Sequence, residues 1–268
     1  EDELRRTSNA QPALLAAGLA CWWVWQGLCR RPPAAMAGHS LGEYTALAAA
    51  QALTAEDALR AVRLRGELME QAMEPGKGGM AAVMGLQDED VVQLCQQACQ
   101  NLGEPAAVVA ANFNAPGQVV VSGTSQGLQE VQSLVRARGG RFIALAVSGP
   151  FHSPWMAAAA QRFARALEEI PVGVPRVPVW ANVTAKPYPP DGQAIRELLC
   201  RQLTAPVHWA QTVRELGAAG IRVFVELGPG KVLSGLVRRT LGDEVVAVSA
   251  GDPGSLEQAL AAVEGAAP

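Results

Sequence analysis

The segment Gly38-His39-Ser40-Leu41-Gly42 decides the fold that we predict for this chain. A short apolar run, residues 34–37, precedes it, and helix-favouring residues 43–50 follow it. A G-x-S-x-G pattern between a strand and a helix is typical of a nucleophile elbow, a tight turn that exposes the serine hydroxyl. Glycines on both sides of the serine let the helix pass close to the strand. A serine that merely caps an ordinary helix is the alternative interpretation.

The composition is that of a globular enzyme. The 268 residues are 49% hydrophobic and 18% charged, enough for one large domain or two smaller ones. A net charge of -3 gives no basic excess, so we expect no nucleic-acid partner. The apolar run 13–25 is too short to cross a bilayer and lacks signal-peptide flanks. We therefore expect a cytoplasmic monomer without a membrane partner.

The cysteines and histidines limit the possible chemistry. The five cysteines lack C-x-x-C spacing, so we expect neither a disulfide framework nor a zinc or other metal site. The three histidines are His39, His152 and His208, so a histidine base must be one of them. His39 is next to Ser40 and is better suited to shape the turn than to accept its proton.

The order of the predicted elements indicates an α/β protein in two parts. Residues 76–148 read as β-α-β-β-α-β, with strands at 80–84, 107–111, 118–122 and 141–147, which predicts an inserted ferredoxin-like subdomain. Residues 1–75 and 149–268 alternate helices with strands at 34–37, 177–183 and 223–227. That alternation predicts a mostly parallel sheet covered by helices. Ser8-Asn9 is the predicted cap of a helix that ends near Leu28, and Thr54 that of a helix that ends near Met73.

Two histidines are candidates for the base that Ser40 needs. His152 follows the last strand of the predicted subdomain, where the chain re-enters the larger part. His208 together with Asp191 completes the Ser, Asp, His order of α/β-hydrolases. The residues alone favour His152 only slightly and leave both alternatives open.

Arg65 is a candidate for substrate recognition. It shares a helix stripe with Ala58, Ala61 and Leu68, where an unpaired charge is costly. Its planar guanidinium suits two-pronged binding of a carboxylate. A buried structural ion pair is the alternative.

Several segments, in this order, resemble the malonyl-CoA:acyl-carrier-protein transacylases, especially the stand-alone bacterial type, and the related acyltransferase domains of polyketide and fatty acid synthases. They are GHSLGEYTAL (38–47), RGELM (65–69), GGMAAVMGL (78–86), NAPGQVVVSG (114–123), PFHSPWM (150–156), RQLTAPVHW (201–209) and ELGPGKVLSGL (226–236). The resemblance covers nearly the whole chain and implies an α/β-hydrolase-like core with a ferredoxin-like subdomain.

The resemblance also implies a role for each matching residue. Ser40 would be the acylated nucleophile, His152 its base, and the Leu41 N–H an oxyanion donor. The main chain of Gln202 would orient His152. The implied substrate-binding residues are Arg65, His39, Phe151, Met80 and Asn112. Malonyl-CoA and an acyl carrier protein would be the partners, with no cofactor, in fatty acid or polyketide biosynthesis.

One departure accompanies the resemblance. The family begins with a strand and a G-Q-G-S-Q loop that helps to form the oxyanion hole, and this sequence has no such segment. We therefore expect a chain that is N-terminally incomplete relative to the family. A serine hydrolase and a non-catalytic carrier-binding module are the competing functional hypotheses.

Overall fold

The computed structural model describes residues 2–266. Its helices are α1 Asp2–Arg5, α2 Thr7–Leu28, α3 Leu41–Ala49, α4 Ala55–Gln71, α5 Asp88–Leu102, α6 Ser125–Ala137, α7 Ala157–Glu168, α8 Gly192–Gln202, α9 Trp209–Ala218, α10 Val232–Leu241 and α11 Pro253–Gly265. Its strands are β1 Met36–Ala37, β2 Gly78–Met84, β3 Val108–Ala115, β4 Gln118–Thr124, β5 Arg141–Ala144, β6 Val179–Ala181, β7 Lys186–Pro187, β8 Val223–Leu227 and β9 Val246–Ala250. The chain is therefore a mixed α/β protein.

Two small sheets contain the parallel strands. β1 pairs in parallel with β6, and β7 adds an antiparallel strand at the other edge of β6. β8 and β9 form a separate parallel pair. β6 is shorter than the predicted strand 177–183 because its partner β1 offers only two residues, Met36 and Ala37.

The third sheet is antiparallel throughout and has the order β3-β4-β2-β5. Its elements follow one another as β2-α5-β3-β4-α6-β5, the order that the sequence predicted for residues 76–148. β3 runs beyond the predicted end at residue 111, since Asn112 and Phe113 still pair with Val120 and Val119 of β4. β5 ends at Ala144, its last residue paired with β2, before the predicted end at 147.

Alternate residues of this antiparallel sheet face two different cores. Val83 and Val119 pack in a cluster with α5 and α6. Met80 and Val120, on the other face, pack in the main cluster, formed largely by α2, α3, α4, α7 and α8. The period of two in a strand produces this division. One face of the sheet therefore packs against α5 and α6, and the other face packs against the main cluster.

The helix boundaries differ from prediction at both ends of the chain. The predicted Ser8-Asn9 cap is wrong: α2 begins at Thr7, and the Ser8 N–H donates to Glu70 Oε1 (3.1 Å). The Thr54 cap is confirmed, because its side chain accepts a hydrogen bond from the Asp57 N–H. α11 was not predicted, although Asp252 and Ser255 form a capping box with Pro253 in the first turn.

No helix within residues 2–266 is long and apolar enough to cross a membrane. The same part of the chain contains no group of three or more His, Cys, Asp or Glu side chains arranged to hold a metal ion.

Candidate active site

Ser40 lies in a strained turn between β1 and α3. Its backbone has φ 51° and ψ -103°, a conformation that side-chain-bearing residues rarely adopt. A Cβ on Gly38 would lie 2.0 Å from the carbonyl of Gly42, so Gly38 permits the close approach of strand and helix. A Cβ on Gly42 would meet no atom of the described residues within 4 Å, so the expected steric need for the second glycine is wrong.

Asn182 fixes both sides of this turn. Its Oδ1 accepts a hydrogen bond from the Ser40 N–H (2.6 Å), and its Nδ2 donates to the Gly38 carbonyl (2.7 Å). Asn182 directly follows β6, the strand paired with β1, and is 1% exposed. The neighbouring strand thus holds the serine in its strained conformation.

Ser40 and His152 form a hydrogen-bonded pair. Ser40 Oγ lies 2.8 Å from His152 Nε2, and His152 Nδ1 lies 2.8 Å from the Gln202 main-chain oxygen. A carbonyl oxygen can only accept, so we assign the ring proton to Nδ1. Nε2 is then free to accept the serine proton.

Burial keeps His152 uncharged. The residue is 4% exposed, and burial, assisted by the nearby Arg65 charge, lowers the pKa of His152 from 6.5 to about 3. An imidazole that is neutral near pH 7 is in the correct state for a general base.

Arg65 reaches the same serine from α4. Its Nη2 donates to Ser40 Oγ (2.9 Å) and to Gln202 Oε1 (2.8 Å), and its Nη1 donates to Gln11 Oε1 (2.7 Å). The residue is 1% exposed, and burial lowers the pKa of its guanidinium. Its buried Nε makes no hydrogen bond within the described part of the chain. Within residues 3–266, no carboxylate oxygen lies within 4.0 Å of the guanidinium nitrogens, so the proposed structural ion pair is absent there.

The predicted site residues line one cavity of about 220 Å³. Its walls include His39, Ser40, Leu41, Arg65, Met80, Asn112, Phe151 and His152, together with Thr7, Gln11, Leu14 and Met69. Met80 and Asn112 come from the antiparallel sheet, on β2 and β3. The cavity therefore lies where that sheet meets the Ser40 turn. Gln202 does not line this cavity, but it contacts Arg65 and His152 through hydrogen bonds.

The rival pair of Asp191 and His208 is not assembled around Ser40. The Asp191 side chain caps α8 by accepting from the Gln193 and Ala194 N–H groups. The His208 ring stacks on Phe113, with centroids 5.4 Å apart. Both residues thus have local structural roles.

Comparisons with known proteins identify the family of this chain. The family model described as "Acyl transferase domain" matches residues 1–259. This chain belongs to that acyltransferase family. The acyltransferase is 43% identical over 256 residues to the malonyl CoA-acyl carrier protein transacylase of Haemophilus influenzae, covering 95% of this chain and 80% of the relative. It is 41% identical over 260 residues to the protein of that name from Escherichia coli K12, covering 97% and 82%.

Solved structures give the same result. FabD from Acinetobacter baumannii has a TM-score of 0.94 and 43% identity to the acyltransferase, covering 98% of this chain and 83% of that one. A malonyl-transacylase solved in complex with a type II polyketide synthase acyl-carrier protein has a TM-score of 0.92 and 41% identity, covering 97% and 82%.

Sequence reasoning missed three polar residues beside the site. Asn182 holds the Ser40 turn, and Glu43 and Tyr188 are hydrogen-bonded to each other beneath it. Glu43 was noticed only as a helix former, although a carboxylate so close to an apolar helix run is a signal of a buried role. Asn182 falls near the end of the predicted strand 177–183, where functional side chains often lie in α/β proteins.

Proposed function

We propose that this acyltransferase moves a malonyl group from malonyl-CoA to the phosphopantetheine thiol of an acyl carrier protein, through an ester on Ser40. The observation that supports this most directly is the buried Arg65 beside Ser40 Oγ (2.9 Å), a cation with no carboxylate oxygen within 4.0 Å among residues 3–266. A carboxylate at one end of the acyl group would bind this cation while the thioester at the other end meets the serine. The names of the relatives agree with this assignment.

The first half-reaction forms the ester. Ser40 Oγ attacks the thioester carbon while His152 Nε2 takes its proton. The Leu41 N–H, first in α3 after Ser40, stabilises the negative oxygen of the tetrahedral intermediate, assisted by the helix N-terminus. The C–S bond then breaks, and His152 returns the proton to the coenzyme A thiolate.

The second half-reaction regenerates Ser40. The carrier's thiol loses its proton to His152, and its sulfur attacks the ester carbon. The intermediate collapses by breaking the bond to Ser40 Oγ, which takes the proton back from His152. The remaining substrate contacts are assigned to His39, Phe151, Met80 and Asn112, which line the cavity. These steps use protein groups alone and no cofactor.

We also propose the finer description of the fold. Residues 1–75 and 149–268 would form an α/β-hydrolase-like core, and residues 76–148 a ferredoxin-like subdomain. The β3-β4-β2-β5 order, fully antiparallel with both helices on one face, supports the second assignment. The monomeric state and the cytoplasmic location stay predictions.

The test is intact-mass analysis after mixing with malonyl-CoA. The wild-type enzyme should gain the mass of one malonyl group, and Ser40→Ala should gain none. When carrier protein is added, the malonyl group should leave the enzyme and appear on the carrier. Continuous release of coenzyme A without a carrier would instead indicate a hydrolase. A wild-type enzyme that gains no malonyl group would indicate a non-catalytic module and refute the proposal.

A further inference from the structure

One buried carboxylate next to the site has no part in the steps above. Glu43 lies in the first turn of α3 and is 1% exposed. Its Oε1 accepts hydrogen bonds from the Tyr188 hydroxyl and from the Asn182 N–H (3.4 Å). Its Oε2 accepts from the Gln202 side-chain Nε2. Both oxygens are acceptors, which is the bonding pattern of an ionised carboxylate.

Gln202 connects this carboxylate to the reacting groups. Its Nε2 also donates to the Ser40 carbonyl (3.0 Å), and its Oε1 accepts from Arg65 Nη2 (2.8 Å). Its main-chain oxygen accepts from His152 Nδ1 (2.8 Å). An ionised Glu43 and the Ser40 carbonyl can only accept, and Arg65 can only donate, so these three groups together fix which way the Gln202 amide points.

We propose that Glu43 is a positioning residue for acyl transfer, which acts through Gln202 to hold Ser40, Arg65 and His152 in one geometry. This inference rests on the proposed function. A neutral side chain at position 43 would remove the charged acceptor of the Gln202 Nε2–H and hold the amide less firmly. The amide oxygen that accepts from Arg65, and the Gln202 main-chain oxygen that accepts from His152, would then lose part of their support.

The surroundings of Glu43 make this role dependent on pH. Burial raises the pKa of Glu43 to about 7, while hydrogen bonds from Tyr188 and Gln202 and the charge of Arg65 lower it. Tyr44, the next residue on α3, also faces this charge, and burial raises the pKa of its hydroxyl. Protonation of Glu43 turns one acceptor into a donor. Acylation should therefore weaken as pH falls through about 7, where His152, with a pKa of about 3, is still neutral.

The experiment measures the single-turnover rate of Ser40 labelling by malonyl-CoA, between about pH 5 and 8. Glu43→Gln should reduce this rate about 100-fold at pH 8, with little change in the malonyl-CoA concentration at half-maximal rate, and remove the acid limb. Tyr188→Phe should move the limb to higher pH, since the hydroxyl no longer stabilises the charged carboxylate. Glu226→Gln is the matched control, because Glu226 accepts two main-chain N–H groups at the start of α10, outside the site.

Each outcome decides the proposal. A Glu43→Gln enzyme with the wild-type rate overturns it, as does a flat wild-type profile or an unshifted limb in Tyr188→Phe. If Glu43→Gln does not fold, the wild-type and Tyr188→Phe profiles decide alone. If the wild-type enzyme is labelled and these variants behave normally, only this inference fails. Absence of wild-type labelling refutes the proposed function and this inference together.

Discussion

Replacing Arg65 with alanine should separate charged from uncharged acyl groups. In the wild-type enzyme the guanidinium is 1% exposed and lies 2.9 Å from Ser40 Oγ. A hydrogen bond to a charged group contributes about 1.5–3 kcal/mol, and the two-pronged contact with a malonyl carboxylate belongs at the upper end of that range. Malonyl transfer should therefore fall roughly 100-fold in kcat/KM.

Acetyl transfer should fall much less in the same variant. The acetyl group has no carboxylate, so acetyl transfer loses only the Arg65 hydrogen bonds to Ser40 and Gln202, about 1.5 kcal/mol or roughly tenfold. The preference for malonyl over acetyl should then drop by about tenfold, measured as the ratio of the two kcat/KM values with the same carrier protein.

Two further variants make this measurement decisive. Arg60→Ala removes an exposed arginine of the same helix that pairs with Asp57, and should leave both rates unchanged. Arg65→Lys keeps the charge but not the planar fork, and should lie between the wild-type enzyme and Arg65→Ala. An equal loss of malonyl and acetyl transfer in a folded Arg65→Ala enzyme would refute the assignment of this residue to acyl selection.

Three other predictions follow from the same region. His152→Ala should lower the rate of Ser40 labelling by about 10²–10⁴-fold, and a smaller effect than that of His208→Ala would exclude His152 as the base. Gly38→Ala should reduce the free energy of unfolding in urea by about 3 kcal/mol, because its Cβ meets Gly42, whereas Gly42→Ala should be tolerated. Burial raises the pKa of Glu43 from 4.5 to about 7, so the folded protein binds this proton more tightly than the unfolded protein does. Protonated Glu43 therefore stabilises the fold at low pH, and this contribution is lost as pH rises through about 7. We therefore compare the stability of Glu43→Gln with that of wild type at two pH values. The free energy of unfolding of the variant minus that of wild type should be about 2 kcal/mol larger at pH 8 than at pH 5. Equal differences at both pH values would contradict this prediction.

The elbow was predictable because it is local. Glycine, serine and a helix start within five residues specify the turn, and the strand before it and helix after it are set by neighbouring residues. The four-strand pattern of residues 76–148 was equally readable, since each strand alternates faces and each helix has its own apolar stripe.

The contacts behind the elbow were not predictable in this way. Asn182 lies 142 residues from Ser40, and Tyr188 lies 145 residues from Glu43. Only the pairing of β1 with β6 brings these residues together, and a two-residue strand gives almost no pattern to read. The same limit applies to choosing between His152 and His208 from residues alone, because both precede helical segments and differ only in where the chain turns.

The position of the acceptor for His152 has a consequence for how this site tolerates mutation. The acceptor is the peptide oxygen of Gln202 and not a side chain, so no single replacement at position 202 deletes it. Replacement there would remove the amide that meets Arg65 while sparing the contact with the imidazole. The orientation of His152 therefore depends on the path of the main chain and survives side-chain substitution at position 202. A search for an acidic third member of a catalytic triad would overlook this acceptor.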